Sequence, residues 1–188
     1  SALRTPILCS EKPLLWAVVG AVATRLYMPE RTTQDLDIAV RQEDREEVRR
    51  RLREAGFNYK GELSIGGSTW LTPDGMSVDI VELAEPWSAP ALVEAQHNLD
   101  PQGLPVLPFP YLVLMKFQAG RVQDLADVTR MLGQADVEML NAARQLFAQY
   151  LPADIEDLES LIVLGRLEMQ PPSTEGESNG GRTNGSTG

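Results

Sequence analysis

Apolar positions along the chain follow two regimes. Up to about residue 108 they come in short runs broken by turn residues, and beyond it they recur at helical spacing. Leu14–Val19 (LLWAVV) is an unbroken apolar run closed by Gly20, which predicts a buried strand. Ala21–Tyr27 predicts a short helix and Leu36–Val40 the next strand. Asp44–Ala55 predicts a helix capped by Asp44, with Val48, Leu52 and Ala55 as its apolar stripe and Gly56 as its stop. Tyr59–Ser64 and Thr69–Leu71 resemble two strands, Pro73-Asp74-Gly75 is a turn signal, and Met76–Leu83 is a further strand. Pro90–His97 predicts a short helix and Leu104–Leu107 a short strand before Pro108.

Four helices follow in the same reading. Pro110–Ala119 stops at Gly120, Val122–Leu132 at Gly133, Ala135–Tyr150 at Pro152, and Asp154–Glu168 is the last. From about Gln170 the chain has no large apolar residue. The stretch PPSTEGESNGGRTNGSTG cannot bury enough surface to offset its chain entropy, so a disordered tail is expected there. The predicted fold is α/β (α+β). A mixed-sheet core spans 1–108, a helical part packs on it over 109–169, and a tail covers 170–188.

Composition narrows the chemistry. The chain has 188 residues, which suits about one folded domain with an attached part. One cysteine, Cys9, excludes a disulfide scaffold and a cysteine-based zinc cluster, and one histidine, His97, leaves little for a His-ligated metal site. His97 reads as a helix-end surface residue. No apolar run is long enough to span a membrane, and SALRTPILCSEKP lacks a signal-peptide pattern, so the cytoplasm is the expected location. Net charge is −10, from 27 acids and 17 bases, which argues against strong non-specific nucleic-acid binding. The run Arg49-Arg50-Arg51-Leu52-Arg53 sits among Glu46, Glu47 and Glu54 and reads as a salt-bridged helix face rather than an RNA patch. Trp16, Trp70 and Trp87 read as core or pocket-wall residues.

The stretch from Val18 to Val40 carries the chemistry. On a strand Asp35 and Asp37 share a face, and two neighbouring carboxylates are costly without a cation between them. Oxygen ligands suit Mg²⁺ or Mn²⁺. Gly20 follows a strand and opens a helix, where backbone N–H groups and the helix dipole favour an anion. Asp79 points away from Val78 and Ile80, and it joins the acidic pair if its strand neighbours Leu36–Val40 in register. Three acids can hold two metals and clamp an in-line displacement.

Gly20-Ala21, Arg31-x-Thr33-x-Asp35-Leu36-Asp37 and the later Asp79 together resemble the nucleotidyltransferase superfamily with the DNA polymerase beta-like fold. Lys116-x-x-Ala119 and Arg121-x-x-Asp124-x-x-Asp127 resemble the small bacterial group that includes the AbiEii-like toxins of toxin–antitoxin systems. The resemblance runs from about Leu14 to Leu132. It implies that Asp35, Asp37 and Asp79 hold Mg²⁺ (or Mn²⁺), one of them also accepting the proton of the attacking hydroxyl. Gly20 and Ala21, with Arg31 and Thr33, would bind the nucleotide, and Lys116 would neutralise its phosphates. Asp124 and Asp127 would lie just behind the site. The implied reaction moves a nucleoside monophosphate from an NTP to an RNA 3′ end, a protein hydroxyl or a small molecule such as an aminoglycoside. A cognate antitoxin is the implied protein partner.

Alternatives remain open from the residues alone. The family's second Gly or Ser is Ala21 here, which has no hydroxyl for a phosphate and favours a catalytically silent nucleotide- or partner-binding module. Lys116 has a structural alternative as a snorkelling surface lysine, whereas in the phosphate role its replacement by Met is expected to weaken NTP binding while leaving the fold intact. Asp124 and Asp127 have one as ion-pair partners of Arg121 and Arg130. A D-x-D glycosyltransferase would not require the Gly20 helix start or the Arg31-x-Thr33 lead-in.

Overall fold

A computed structural model describes residues 14–28 and 36–169. Arg31, Thr33 and Asp35 lie outside the described residues, as do Cys9 and the expected tail. Five strands form one mixed sheet in the order β1-β2-β5-β4-β3. They are β1 (Trp16–Val19), β2 (Leu36–Arg41), β3 (Asn58–Glu62), β4 (Gly67–Leu71) and β5 (Ser77–Leu83). β1 runs antiparallel to β2, β2 and β5 are parallel, and β5–β4–β3 is antiparallel. The parallel pair needs a crossover, which helix α2 (Arg45–Glu54) and the β3–β4 hairpin supply.

α2 covers one sheet face. Val48 and Leu52 are fully buried, Arg53 lies 5.6 Å over the Trp70 ring, and Arg49 reaches Glu82 of β5 at 2.8 Å. Arg50 bonds Glu47 and Glu54, and Arg51 bonds Glu47, so the basic run is the salt-bridged face that its glutamates suggest. Asp44 does not cap α2. It sits in a 3-10 turn, and its carboxylate accepts from Arg41 Nε at 2.7 Å instead. The guanidinium competes for the oxygen that a cap would need.

Residues 105–107 pair with the outer edge of β1, Val18 N–H donating to Pro105 O (2.7 Å) and Leu107 N–H to Val18 O (3.0 Å). This closes an edge that would otherwise expose backbone groups. Helix α1 (Gly20–Thr24) follows β1, and α3 (Ser88–Ala95) follows β5. The four C-terminal helices are α4 (Phe109–Ala119), α5 (Val122–Gln134), α6 (Val137–Tyr150) and α7 (Ile155–Glu168). Gly120 ends α4 at φ 63°, and the Asp136 side chain caps α6 by accepting from Met139 N–H at 2.8 Å.

Gly133 does not end its helix, contrary to the sequence expectation. α5 continues to Gln134 because Gly133 serves a helix crossing. A Cβ on Gly133 would lie 2.4 Å from Gly165 O, and one on Gly165 would lie 2.1 Å from Thr129 O. The three tryptophans are core residues, at most 2% exposed. Among the described residues no helix is long and apolar enough to cross a membrane.

Candidate active site

The sheet face opposite α2 carries the acids. In β2 and β5, Asp37 and Asp79 are register partners on adjacent parallel strands. Their side chains therefore leave the same face, side by side at the roughly 4.8 Å strand spacing. The alternate residues Ile38, Val78 and Ile80 go the other way and are buried. β4 adds Thr69, the register partner of Asp79, whose hydroxyl donates to Asp79 Oδ1 at 2.6 Å. Asp79 is thereby held in one orientation, with Oδ2 left for another partner.

Gly20 closes the site from β1. Its φ is 67°, a conformation that costs a residue with Cβ about 1 kcal/mol or more. Space excludes a side chain as well, since a Cβ there would lie 1.8 Å from Asp37 Oδ2. The β1–α1 turn and the Asp37 carboxylate are thus in direct contact. The helix N-terminus places partial positive charge beside that carboxylate.

Helices α4 and α5 supply the other wall. Gly20, Asp37, Asp79, Lys116, Arg121 and Asp124 all line one cavity, with the hairpin turn around Ser64 at its mouth. Lys116 is 4% exposed, so it is no snorkelling surface residue. Its ammonium donates to Asp124 Oδ1 and Asp127 Oδ2, both at 3.0 Å. Arg121 Nε donates to Asp124 Oδ2 at 2.5 Å while most of its side chain remains exposed. Burial pushes the Asp124 carboxyl up, but hydrogen bonds from Arg121 and Lys116 outweigh it and hold the group below its usual range. The bonded Asp124 carboxylate raises the Arg121 pKa, burial opposes this, and the charge of Asp37 adds to the rise. Arg121 therefore stands within electrostatic reach of the acids.

These observations sort the expected residues. Gly20, Asp37, Asp79 and Lys116 converge on one cavity. Ala21 is half-buried in α1 and is not part of the cavity wall. Asp127 is buried behind Lys116 rather than in the wall. Sequence reasoning missed two participants. Arg121 was visible only as one letter of a motif, although its place just after the Gly120 helix stop aims it at the cavity mouth. Thr69 had no signal, because its role depends on the β4–β5 register.

Asp37 and Asp79 offer hard carboxylate oxygens on one face, and Thr69 fixes one of them, which fits Mg²⁺ or Mn²⁺. Among the described residues no group of three His, Cys, Asp or Glu is placed to hold a metal. Asp35, the third acid of the sequence expectation, lies outside them.

No protein-family model and no curated protein sequence matches the chain. Among solved structures it is similar to a solution structure of the antibiotic-resistance factor ANT(2″)-Ia, at 17% identity and a TM-score of 0.45, covering 82% of this chain and 83% of that one. A crystal structure of ANT(2″)-Ia in complex with adenylyl-2″-tobramycin is similar at 18% identity and a TM-score of 0.44, covering 84% of this chain and 90% of that one. Likenesses at this level assign no function.

Proposed function

We propose that the protein is a divalent-metal-dependent nucleotidyltransferase, moving a nucleoside monophosphate from an NTP to an acceptor hydroxyl. The observation that carries this reading is the in-register pair Asp37 and Asp79, sharing one cavity with Gly20 and Arg121. In it, Asp37 and Asp79, with Asp35, hold Mg²⁺. The metal, when bound, neutralises the charge that develops on the attacking and leaving oxygens. Gly20 and the α1 N-terminus bind phosphate oxygens through backbone N–H groups. Arg121 binds them through its exposed guanidinium, and Thr69 keeps Asp79 in register. The acceptor oxygen bonds to the α-phosphorus, the bond from that phosphorus to the bridging oxygen breaks, and pyrophosphate leaves. A carboxylate of the site takes the hydroxyl proton. A toxin role and a cognate antitoxin belong to the same proposal and rest on the Lys116 and Arg121 motifs alone.

A second reading is favoured by Ala21, which has no hydroxyl, and by the pairing of Lys116 and Arg121 with Asp124. In that reading the site binds nucleotide without turnover. Asp37→Ala tests both. The wild type with millimolar Mg²⁺ and NTP is expected to gain stability, about 2.7 kcal/mol at one hundred times Kd, and to release pyrophosphate. The variant loses most of that gain and all release. A full Mg²⁺–NTP shift in the variant overturns the metal site. A shift without pyrophosphate release in the wild type selects the silent module.

A further inference from the structure

Two basic side chains, Lys116 and Arg121, line the cavity with Asp37 and Asp79, and they stand in opposite surroundings. Lys116 is in the last turn of α4, with its side chain 5% exposed. Arg121 is the residue before α5, with its side chain 63% exposed.

An ammonium has three N–H donors. Lys116 gives two of them to α5, to Asp124 Oδ1 and Asp127 Oδ2, both at 3.0 Å. Asp127 is 1% exposed, so Lys116 cannot turn to a phosphate without breaking a buried ion pair, which is strongly unfavourable. Its charge is already matched between the helices. A guanidinium has five N–H donors in a rigid fork. Arg121 gives Nε–H to Asp124 Oδ2 at 2.5 Å, and its terminal nitrogens have no partner among the described residues. That is the edge suited to bidentate bonding of a phosphate.

Asp124 joins the two cations. The buried lysine bonds one of its oxygens and thereby fixes the carboxylate whose other oxygen holds the arginine. A line of bonded groups thus runs from Asp127 through Lys116 and Asp124 to Arg121, from the interior to the cavity. An arginine anchored at Nε has less freedom left to lose when a ligand arrives.

We propose that Lys116 is a positioning residue and not a phosphate ligand. Through Asp124 it orders Arg121, whose terminal N–H groups take the phosphate oxygens. The proposal rests on the nucleotidyl-transfer reading, which brings phosphates to this cavity, and it departs from the role that the sequence resemblance implies for Lys116.

The two roles give opposite signs at Asp124. If Lys116 meets phosphate directly, Asp124 is a competing anion, and Asp124→Asn tightens phosphate binding. In the relay, Lys116 draws the oxygen of the new amide, the amide NH2 then faces the Arg121 Nε–H donor, and Arg121 loses its hold. The probe is inorganic triphosphate with Mg²⁺, the part that every NTP shares, titrated calorimetrically into the full chain. The wild type is expected to bind it. Arg121→Ala should weaken binding about tenfold or more, as for lost hydrogen bonds to a charged group. Asp124→Asn should weaken it about twofold to tenfold, the effect of ordering one long side chain. In the Arg121→Ala background Asp124→Asn should bring no further loss, because both changes act on one guanidinium. A merely structural Asp124 would lower the melting temperature without this coupling. Unchanged or tighter binding by Asp124→Asn, or a loss that adds in full to that of Arg121→Ala, overturns the relay. Pyrophosphate release from NTP is measured in parallel. Release by a wild type whose variants show no coupling sinks the relay alone. A wild type that binds neither Mg²⁺–triphosphate nor any NTP sinks the nucleotidyl-transfer reading, and the relay with it.

Discussion

Lys116 shows what one residue does between two kinds of surroundings. It lies in the apolar helix α4, yet its ammonium is buried between Asp124 and Asp127. With Arg121 the group holds two cations and two carboxylates, so it is neutral as a unit. The sequence expectation that Lys116→Met leaves the fold intact is therefore revised. The substitution takes the ammonium away from two buried carboxylates and leaves Asp124 with Arg121 as its remaining cation, and breaking such a buried pair costs roughly 3–5 kcal/mol. Urea denaturation at pH 7 should show that loss, and replacing both Asp124 and Asp127 by Asn in the same background should recover part of it. A Lys116→Met protein with wild-type stability would mean that the ion pairs contribute nothing. Arg121 depends on the same unit, since Asp124 holds its Nε while most of its side chain is exposed and lines the cavity. Ordering at one buried lysine thus reaches Arg121, an exposed cation that lines the cavity with Asp37.

Elements were legible where a residue serves one purpose and obscure where it serves two. Gly56 and Gly120 sit at positive φ just past α2 and α4, where only a helix stop is asked of them. Gly133 has the same letter and a different task, because its missing side chain lets α5 touch α7. Asp44 looked like a cap, but Arg41 is three residues earlier and takes its carboxylate. Ser64 was expected in a strand and lies in the β3–β4 turn, because the pairing ends at Glu62 and Ser68. For β2 and β5, alternation showed that Asp37 and Asp79 leave the face opposite Ile38, Val78 and Ile80, but the pairing stood only as a condition, because a two-residue slip keeps every side chain on its face; the structure supplies the parallel register. Gly165→Ala tests the crossing. Its Cβ would meet backbone at 2.1 Å and 2.8 Å, which no rotamer relieves, so α5 and α7 must separate. A loss of roughly 1–3 kcal/mol is expected from such overpacking, with NTP affinity preserved because the crossing is outside the cavity wall. An unchanged melting temperature would show that the helices do not pack this closely.

The whole molecule places a hydrophobic sheet, a covering helix and a helical part around one cavity, and its charge decides how that assembly responds to acid. Net charge is −10, so partial protonation of the carboxylates should first relieve repulsion. Several acids resist protonation for local reasons. Hydrogen bonds from Arg50 and Arg51 hold the exposed Glu47 carboxyl down at about 2. Arg49 and Tyr59 lower Glu62, and Arg144 lowers Glu159, which joins α6 to α7. Asp124 is lowered despite burial, by Arg121 and Lys116. Each of these groups has a folded pKa below its unfolded value, so between the two the unfolded chain binds more protons. Their contribution is fully present above the unfolded pKa, near 4, and is lost as pH falls through the folded values. The urea midpoint should therefore hold or rise slightly from pH 7 to about 5 and then drop steeply between about pH 4 and 2. Asp124→Asn should be less stable at pH 7 by roughly 1.5–3 kcal/mol, the worth of hydrogen bonds to a charged group, and should show a shallower fall below pH 4. The exposed pairs are screened by salt and the buried one is not. If the variant's acid limb matches the wild type in slope at both low and high salt, the Lys116–Asp124 pair does not join α4 to α5, and the cavity wall must be held by apolar packing alone.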